Sequence, residues 1–136
     1  MAEMVIDELK QIVRATHLDS AMLTVDDVKC FNADLAKLVA IAAARFGRLR
    51  VLVDARRLPI QLSEVGVHFD GPERLLRTPD DRYALVLGSS LAKIQTRRIL
   101  GDDKRMRMFL SLDAAELWLL NDEMSAEEAE ARARNA

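Results

Sequence analysis

Three consecutive apolar β-formers, Val51-Leu52-Val53, are closed by Asp54 and followed by Ala55-Arg56-Arg57. A strand that is apolar on both faces is stable only where both faces are covered, which means a parallel strand in a sheet layered with helices. Arg50–Asp54 is therefore the segment around which the rest of the chain must be arranged. Ligands of open α/β sheets bind just beyond the carboxyl ends of such strands. The residues after Asp54 thus bear on function, and they begin Ala-Arg-Arg, with no nucleophile and no hydroxyl.

The flanking segments supply the layers. Met4–Asp7, a turn at Glu8-Leu9-Lys10 and Gln11–Thr16 predict a hairpin, with Ile12 and Arg14 on one face and Val13 and Ala15 on the other. Thr24-Val25-Asp26-Asp27 opens a helix with a Thr cap and a carboxylate three residues on. Val28, Phe31, Leu35, Leu38 and Ala42 come next at helical spacing, and Gly47 stops the helix. Leu62–Arg77 is helical in composition but broken by Gly71-Pro72, giving two short helices or one kinked helix. After a turn at Thr78-Pro79-Asp80-Asp81, Tyr83–Leu87 is a second buried strand, ended by Gly88. Ser89 or Ser90 caps a helix carrying Leu91, Ile94 and Ile99, with Gly101 as its stop. Met106–Leu110 is the last strand. Asp113-Ala114-Ala115-Glu116 reads as a capping box for a helix with Leu117, Trp118 and Leu120.

This order predicts an α/β fold over residues 1–121. Its sheet is mixed and mostly parallel, with five strands, an N-terminal antiparallel hairpin strand and three to four covering helices. Residues 122–136 form a charged Ala/Glu/Arg tail. From Ser125 onward it has no large apolar residue, so it is expected to be a frayed helix or disordered, with Glu128/Arg132 and Glu130/Arg134 spaced as surface pairs.

Composition narrows the function classes. At 136 residues the chain fits one domain, and its single cysteine, Cys30, permits no internal disulfide. The early Asp7 and Glu8 argue against a signal peptide, and the longest apolar stretch, Leu38–Ala44, is far short of a membrane span. A cytoplasmic location is expected. The charge is uneven: residues 45–107 hold 14 Lys/Arg against 8 Asp/Glu, and the remainder 6 against 14. Such asymmetry suits an anion or an acidic partner, or simply a solvated basic face. Aromatic residues do not interleave with the basic ones, which argues against nucleic acid.

The order of elements, with Leu52-Val53-Asp54 closing a strand, Ala84-Leu85-Val86-Leu87-Gly88-Ser89-Ser90-Leu91 across a strand–helix junction and Phe109…Ala114-Ala115…Trp118-Leu119 near the end, resembles the STAS/SpoIIAA-like fold group. More narrowly, it resembles small stand-alone bacterial STAS/SEC14-like proteins, over most of the chain up to about Leu120. The resemblance implies one of two roles. Anti-sigma-factor antagonists of this fold carry a phosphorylatable Ser just after an Asp at the equivalent strand end. Here Ala55 comes after Asp54 and the next serine, Ser63, lies about nine residues on, so a kinase-switched antagonist is disfavoured. The SEC14-type branch binds apolar ligands or lipids.

Among the residues themselves, Gly88-Ser89-Ser90 at a strand-to-helix junction could hold an anion on free backbone amides, or could merely start and cap a helix. Lys93 and Arg97 would share a face of that helix, and Arg56 and Arg57 would leave the adjacent strand at the same sheet edge. Asp54 could act as a base or ligand, though an Asp at a strand end more often caps its own turn. His17, His68 and Cys30 lack metal-ligand spacing, and Cys30, beside an apolar helix stripe, suits a packed or half-exposed thiol. Met106 and Met108 share a face of the last strand and suit either a partner contact or packing under a helix. No cofactor, no metal and no catalysis are expected. The expected function is a non-enzymatic regulatory or binding module whose ligand- or partner-binding residues are Asp54, Arg56, Arg57, Gly88, Ser89, Ser90, Lys93 and Arg97. Its partner is a protein or a small anionic or apolar ligand, and a homodimer is possible. The alternative is a carrier of a small apolar, acyl or lipid ligand between sheet and helices.

Overall fold

The computed structural model describes residues 2–59 and 63–135. Strands β1 (Ala2–Asp7) and β2 (Ile12–His17) pair antiparallel, and β3 (Arg50–Asp54), β4 (Arg82–Val86) and β5 (Met106–Phe109) add to β2 in parallel. Sheet order therefore matches chain order. The helices are α1 (Val25–Phe46), α2 (Ser63–Gly66), α3 (Pro72–Leu75), α4 (Ser90–Leu100), α5 (Leu112–Leu120) and α6 (Ala126–Arg134). The expected α/β fold, with its mostly parallel five-stranded sheet and N-terminal hairpin, is the observed one. The single-turn α2 and α3 stand either side of the Gly71-Pro72 break, and the first residue of the expected stretch, Leu62, lies outside the described residues.

Three successive crossovers step the same way across the sheet, and a uniform hand then places their helices on one face. The burial agrees: Phe31, Leu35, Val39 and Ala42 of α1 share one core with Val13, Val51, Val53, Tyr83, Leu85, Met106 and Met108. With no strand after β5, the chain is free to cover the other face. There Ala114, Ala115, Trp118 and Leu119 of α5 pack on Ile12, Leu52, Ala84, Val86 and Phe109. The strand period of two thus divides each apolar run between two cores. The two methionines of β5 are consumed by packing.

Thr24 accepts from the Asp27 amide at 3.1 Å while the Asp27 carboxylate accepts from the Thr24 amide at 2.9 Å, completing the predicted capping box of α1. At α5 the prediction misplaced the cap. Ser111, not Asp113, accepts from the Ala114 amide at 3.2 Å, which puts Asp113 inside the first turn, where its charge suits the helix dipole. The helix face is correspondingly rotated: Leu119 is buried and Leu120 exposed.

Two arginines at the amino ends of β3 and β4 close the other end of α5. Arg50, buried, donates to the Leu119 carbonyl at 2.9 Å, and Arg82 donates to the Trp118 carbonyl at 2.6 Å with its guanidinium 4.5 Å from the Trp118 ring centre. Cations at a helix carboxyl end satisfy orphan carbonyls and oppose the dipole. The tail also departs from expectation. It forms α6, capped by Ser125, and buries Ala126 and Ala129 against α5. Small alanines let the two helices approach closely, a face that a search for large apolar residues overlooks. Arg132 pairs with Glu128 at 2.9 Å as expected, whereas Glu130 faces Lys93 at 3.9 Å rather than Arg134.

Candidate functional site

The carboxyl ends of β3 and β4 converge as the topology requires. The Ala55 amide donates to the Val86 carbonyl at 2.8 Å, extending the ladder beyond Asp54. Gly88 then passes so near the Arg56 carbonyl that a Cβ there would stand 2.7 Å from its oxygen. Backbone and charges part company at this point. The Arg56 guanidinium is held by both Asp54 oxygens, at 2.9 and 2.8 Å, and its amide donates to the same carboxylate at 3.2 Å. Burial opposes ionisation of Asp54, but the Arg56 side chain and amide outweigh it and hold the carboxyl below its usual range. Asp54 closes its own turn.

The remaining predicted residues are also engaged or turned outward. Arg57 donates to the Leu18 carbonyl at 2.8 Å. Ser89 is the α4 cap, accepting from the Ala92 amide at 3.1 Å, and Ser90 begins the helix, exposed. Lys93 leans toward Glu130, and Arg97 is exposed without an ion pair among the described residues. The sheet edge brings Arg56 and Gly88 together through their backbones, but it does not gather the cations around one point. Leu91 and Ile94, expected to anchor α4, are 54% and 53% exposed. The helix instead turns Ala92, Gln95, Thr96 and Ile99 toward the sheet.

Beneath that face lies a cavity of about 100 Å³. Its floor is Val53, Tyr83 and Leu85, its walls include Phe31 of α1 and Phe69, and Ala55 and Leu87 lie at the strand ends. It occupies the predicted end of the sheet, on the opposite face from Asp54, because Val53 and Asp54 alternate across the strand. The lining is mostly apolar, with His17, Asp70, Tyr83, Gln95 and Thr96 as its polar members.

Two of these are deeply buried. Tyr83 and His17 are each 4% exposed, and neither side chain makes a hydrogen bond to the described residues. Among those residues no side-chain nitrogen or oxygen is sealed away without a partner, so the Tyr83 hydroxyl opens to the cavity. Burial, reinforced by the negative charge of Asp70, drives the Tyr83 phenol well above its usual range. Burial likewise pushes His17 down to about 4, against the pull of Asp19 and Asp54. Both groups are neutral near pH 7. The His17 ring stacks on Phe31 with centres 4.8 Å apart, and Phe69 meets Phe31 edge-on at 5.9 Å.

The same His17–Phe31 pair borders a shallower groove of about 520 Å³ that reaches Met4, Met22, Cys30 and Asp34. Cys30 is exposed there. The sequence reading missed His17, Tyr83, Phe31 and Phe69 as site residues. The available signal was the sole tyrosine in an otherwise apolar strand, since a buried tyrosine hydroxyl requires a partner.

Among the described residues no group of three or more His, Cys, Asp or Glu stands together to hold a metal ion, and no helix is long and apolar enough to cross a membrane. Comparison with protein-family models, with curated proteins and with solved structures found no match.

Proposed function

We propose that this chain is a non-enzymatic, STAS-like binding module that takes a small, largely apolar ligand between the sheet and helices α1 and α4. One observation carries this reading: an apolar cavity at the carboxyl ends of β3 and β4 holds the hydroxyl of Tyr83, a residue only 4% exposed and without a hydrogen-bond partner among the described residues. Ligand pockets are characteristically apolar with a few converging polar groups, and open α/β sheets place them at strand carboxyl ends. The charged residues first expected to do the binding contribute less, because Asp54 and Arg56 neutralise each other. Of the two expected ligand types, a small apolar molecule fits better than an anion.

Benzene titrated into the protein and followed by amide chemical shifts tests this. Shifts should cluster at Val53, Tyr83, Leu85 and Ala92, and Ala92→Trp, which fills the space from α4, should abolish them. A folded protein showing no change at these residues in millimolar benzene would remove the proposal.

A further inference from the structure

Resting on that binding reading, we infer that the cavity selects a neutral, single-ring molecule carrying one hydroxyl group, of the size of phenol, and hydrogen-bonds that hydroxyl to Tyr83.

Size sets the first limit. An apolar cavity of roughly 150 Å³ binds benzene. At about 100 Å³ and only partly enclosed, this cavity has room for most of one ring, whereas most of an extended acyl chain would project from it. The α4 wall can yield a little, since none of its residues is fully buried.

Shape and surface set the second. Phe31, Phe69 and Tyr83 are three of only six Phe, Tyr and Trp residues in the chain, and all three line this cavity together with the His17 ring. Aromatic rings favour edge-on or offset contacts with one another, and the Phe31–Phe69 pair already shows the edge-on form. A flat guest extends such a cluster better than a flexible chain, which loses more freedom on ordering.

Polarity sets the third. The Tyr83 hydroxyl, open to the cavity, lacks a protein partner among the described residues, and a ligand hydroxyl can both donate to it and accept from it. Charge is disfavoured in either sign. Asp70 lies in the lining, so a carboxylate or phosphate would meet like charge, and a cation would give up its water for a mostly apolar lining whose one carboxylate already has the Arg74 guanidinium 3.7 Å away. His17, the other titratable group of the lining, is buried.

Phenol, benzene and decanoate are titrated into the wild-type chain and Tyr83→Phe, with amide shifts locating the site. Tyr83→Phe is expected to weaken phenol about fivefold, the equivalent of one neutral hydrogen bond, while leaving benzene unchanged. Intermolecular NOEs from phenol ring protons to Phe31, Leu85 and Ala92 in the wild type provide a readout that needs no variant. If phenol and benzene both bind but Tyr83→Phe affects them equally, or if decanoate binds the same residues more tightly than phenol, the ligand class is wrong and the binding module stands. If none of the three perturbs the cavity, both are wrong.

Discussion

Gly88 and Arg56 lie so close that a side-chain carbon on the first would stand 2.7 Å from the carbonyl oxygen of the second. The contact is backbone against backbone, so neither side can yield by a rotamer change. It clamps the ends of β3 and β4, where Ala55 and Leu87 line the cavity. Gly88→Ala should therefore cost about 1–3 kcal/mol, the usual range for forced overpacking. Urea unfolding measures it, and amide shifts should change most at residues 55–58 and 86–90. A neutral substitution would mean that the two strand ends part easily.

Asp81 is a carboxylate buried to 1% exposure that accepts three backbone amides: Leu49 at 2.9 Å, Arg77 at 2.8 Å and Thr78 at 2.9 Å. Burial acts to raise its pKa, but the amides of Leu49, Arg77 and Thr78 together lower it. A lowered folded value gives stability that is complete above the ordinary carboxylate range and lost as pH falls through the folded value. Asp81→Ala leaves buried amides unsatisfied and should cost about 2–4 kcal/mol at pH 7, with a smaller difference from wild type below pH 3. Equal differences at both pH values would show that the charge is irrelevant.

His17 predicts a separate acid effect at higher pH. Burial lowers its pKa from 6.5 to about 4, so the unfolded chain binds a proton between those values and the folded chain does not. Stability is then complete above pH 6.5 and falls as pH drops toward 4, by roughly 3 kcal/mol at most. His17→Phe keeps a ring on Phe31 and should flatten the profile in this window. Denaturant midpoints at half-unit pH steps decide it. An unchanged slope would locate the titrating group elsewhere.

The closing helix makes its own prediction. Ala129 is fully buried against α5, with Ala126 and Met124 beside it. Replacing Ala129 by Glu puts a charge where a methyl group packs and should destabilise by about 2–4 kcal/mol, whereas Ala131→Glu, at a half-exposed position, should fall within about 0.5. A disordered tail would make both harmless, and thermal unfolding distinguishes the cases.

Local patterns were legible where one residue's neighbours in sequence were also its partners. Thr24 and Asp27 announce a capping box because the atoms that meet are three residues apart, and Gly47 announces a stop because its φ of 75° is open to glycine without strain. The bounds of β3 came from its apolar run. The anion site illustrates the opposite case: its residues do approach one edge, but long cationic side chains choose among distant acceptors. Arg57 takes the Leu18 carbonyl and Lys93 turns to Glu130, choices that depend on β2 and α6 being nearby.

Amino-acid order by itself determined the α/β class, the antiparallel hairpin, the parallel β3 and β4 and the helices that come after β2, β3, β4 and β5, because periodicity and capping act over a few residues. Tertiary structure alone decided the use of those elements. It placed α5 and α6 on the far face, gave Arg50 and Arg82 the carboxyl end of α5, and brought His17, Phe31, Phe69 and Tyr83 around one cavity. These residues come from β2, α1, the α2–α3 connection and β4, so no window of sequence contains their contact. Burial, which left the Tyr83 hydroxyl without a protein partner among the described residues, is a property of the assembled layers and of no single element.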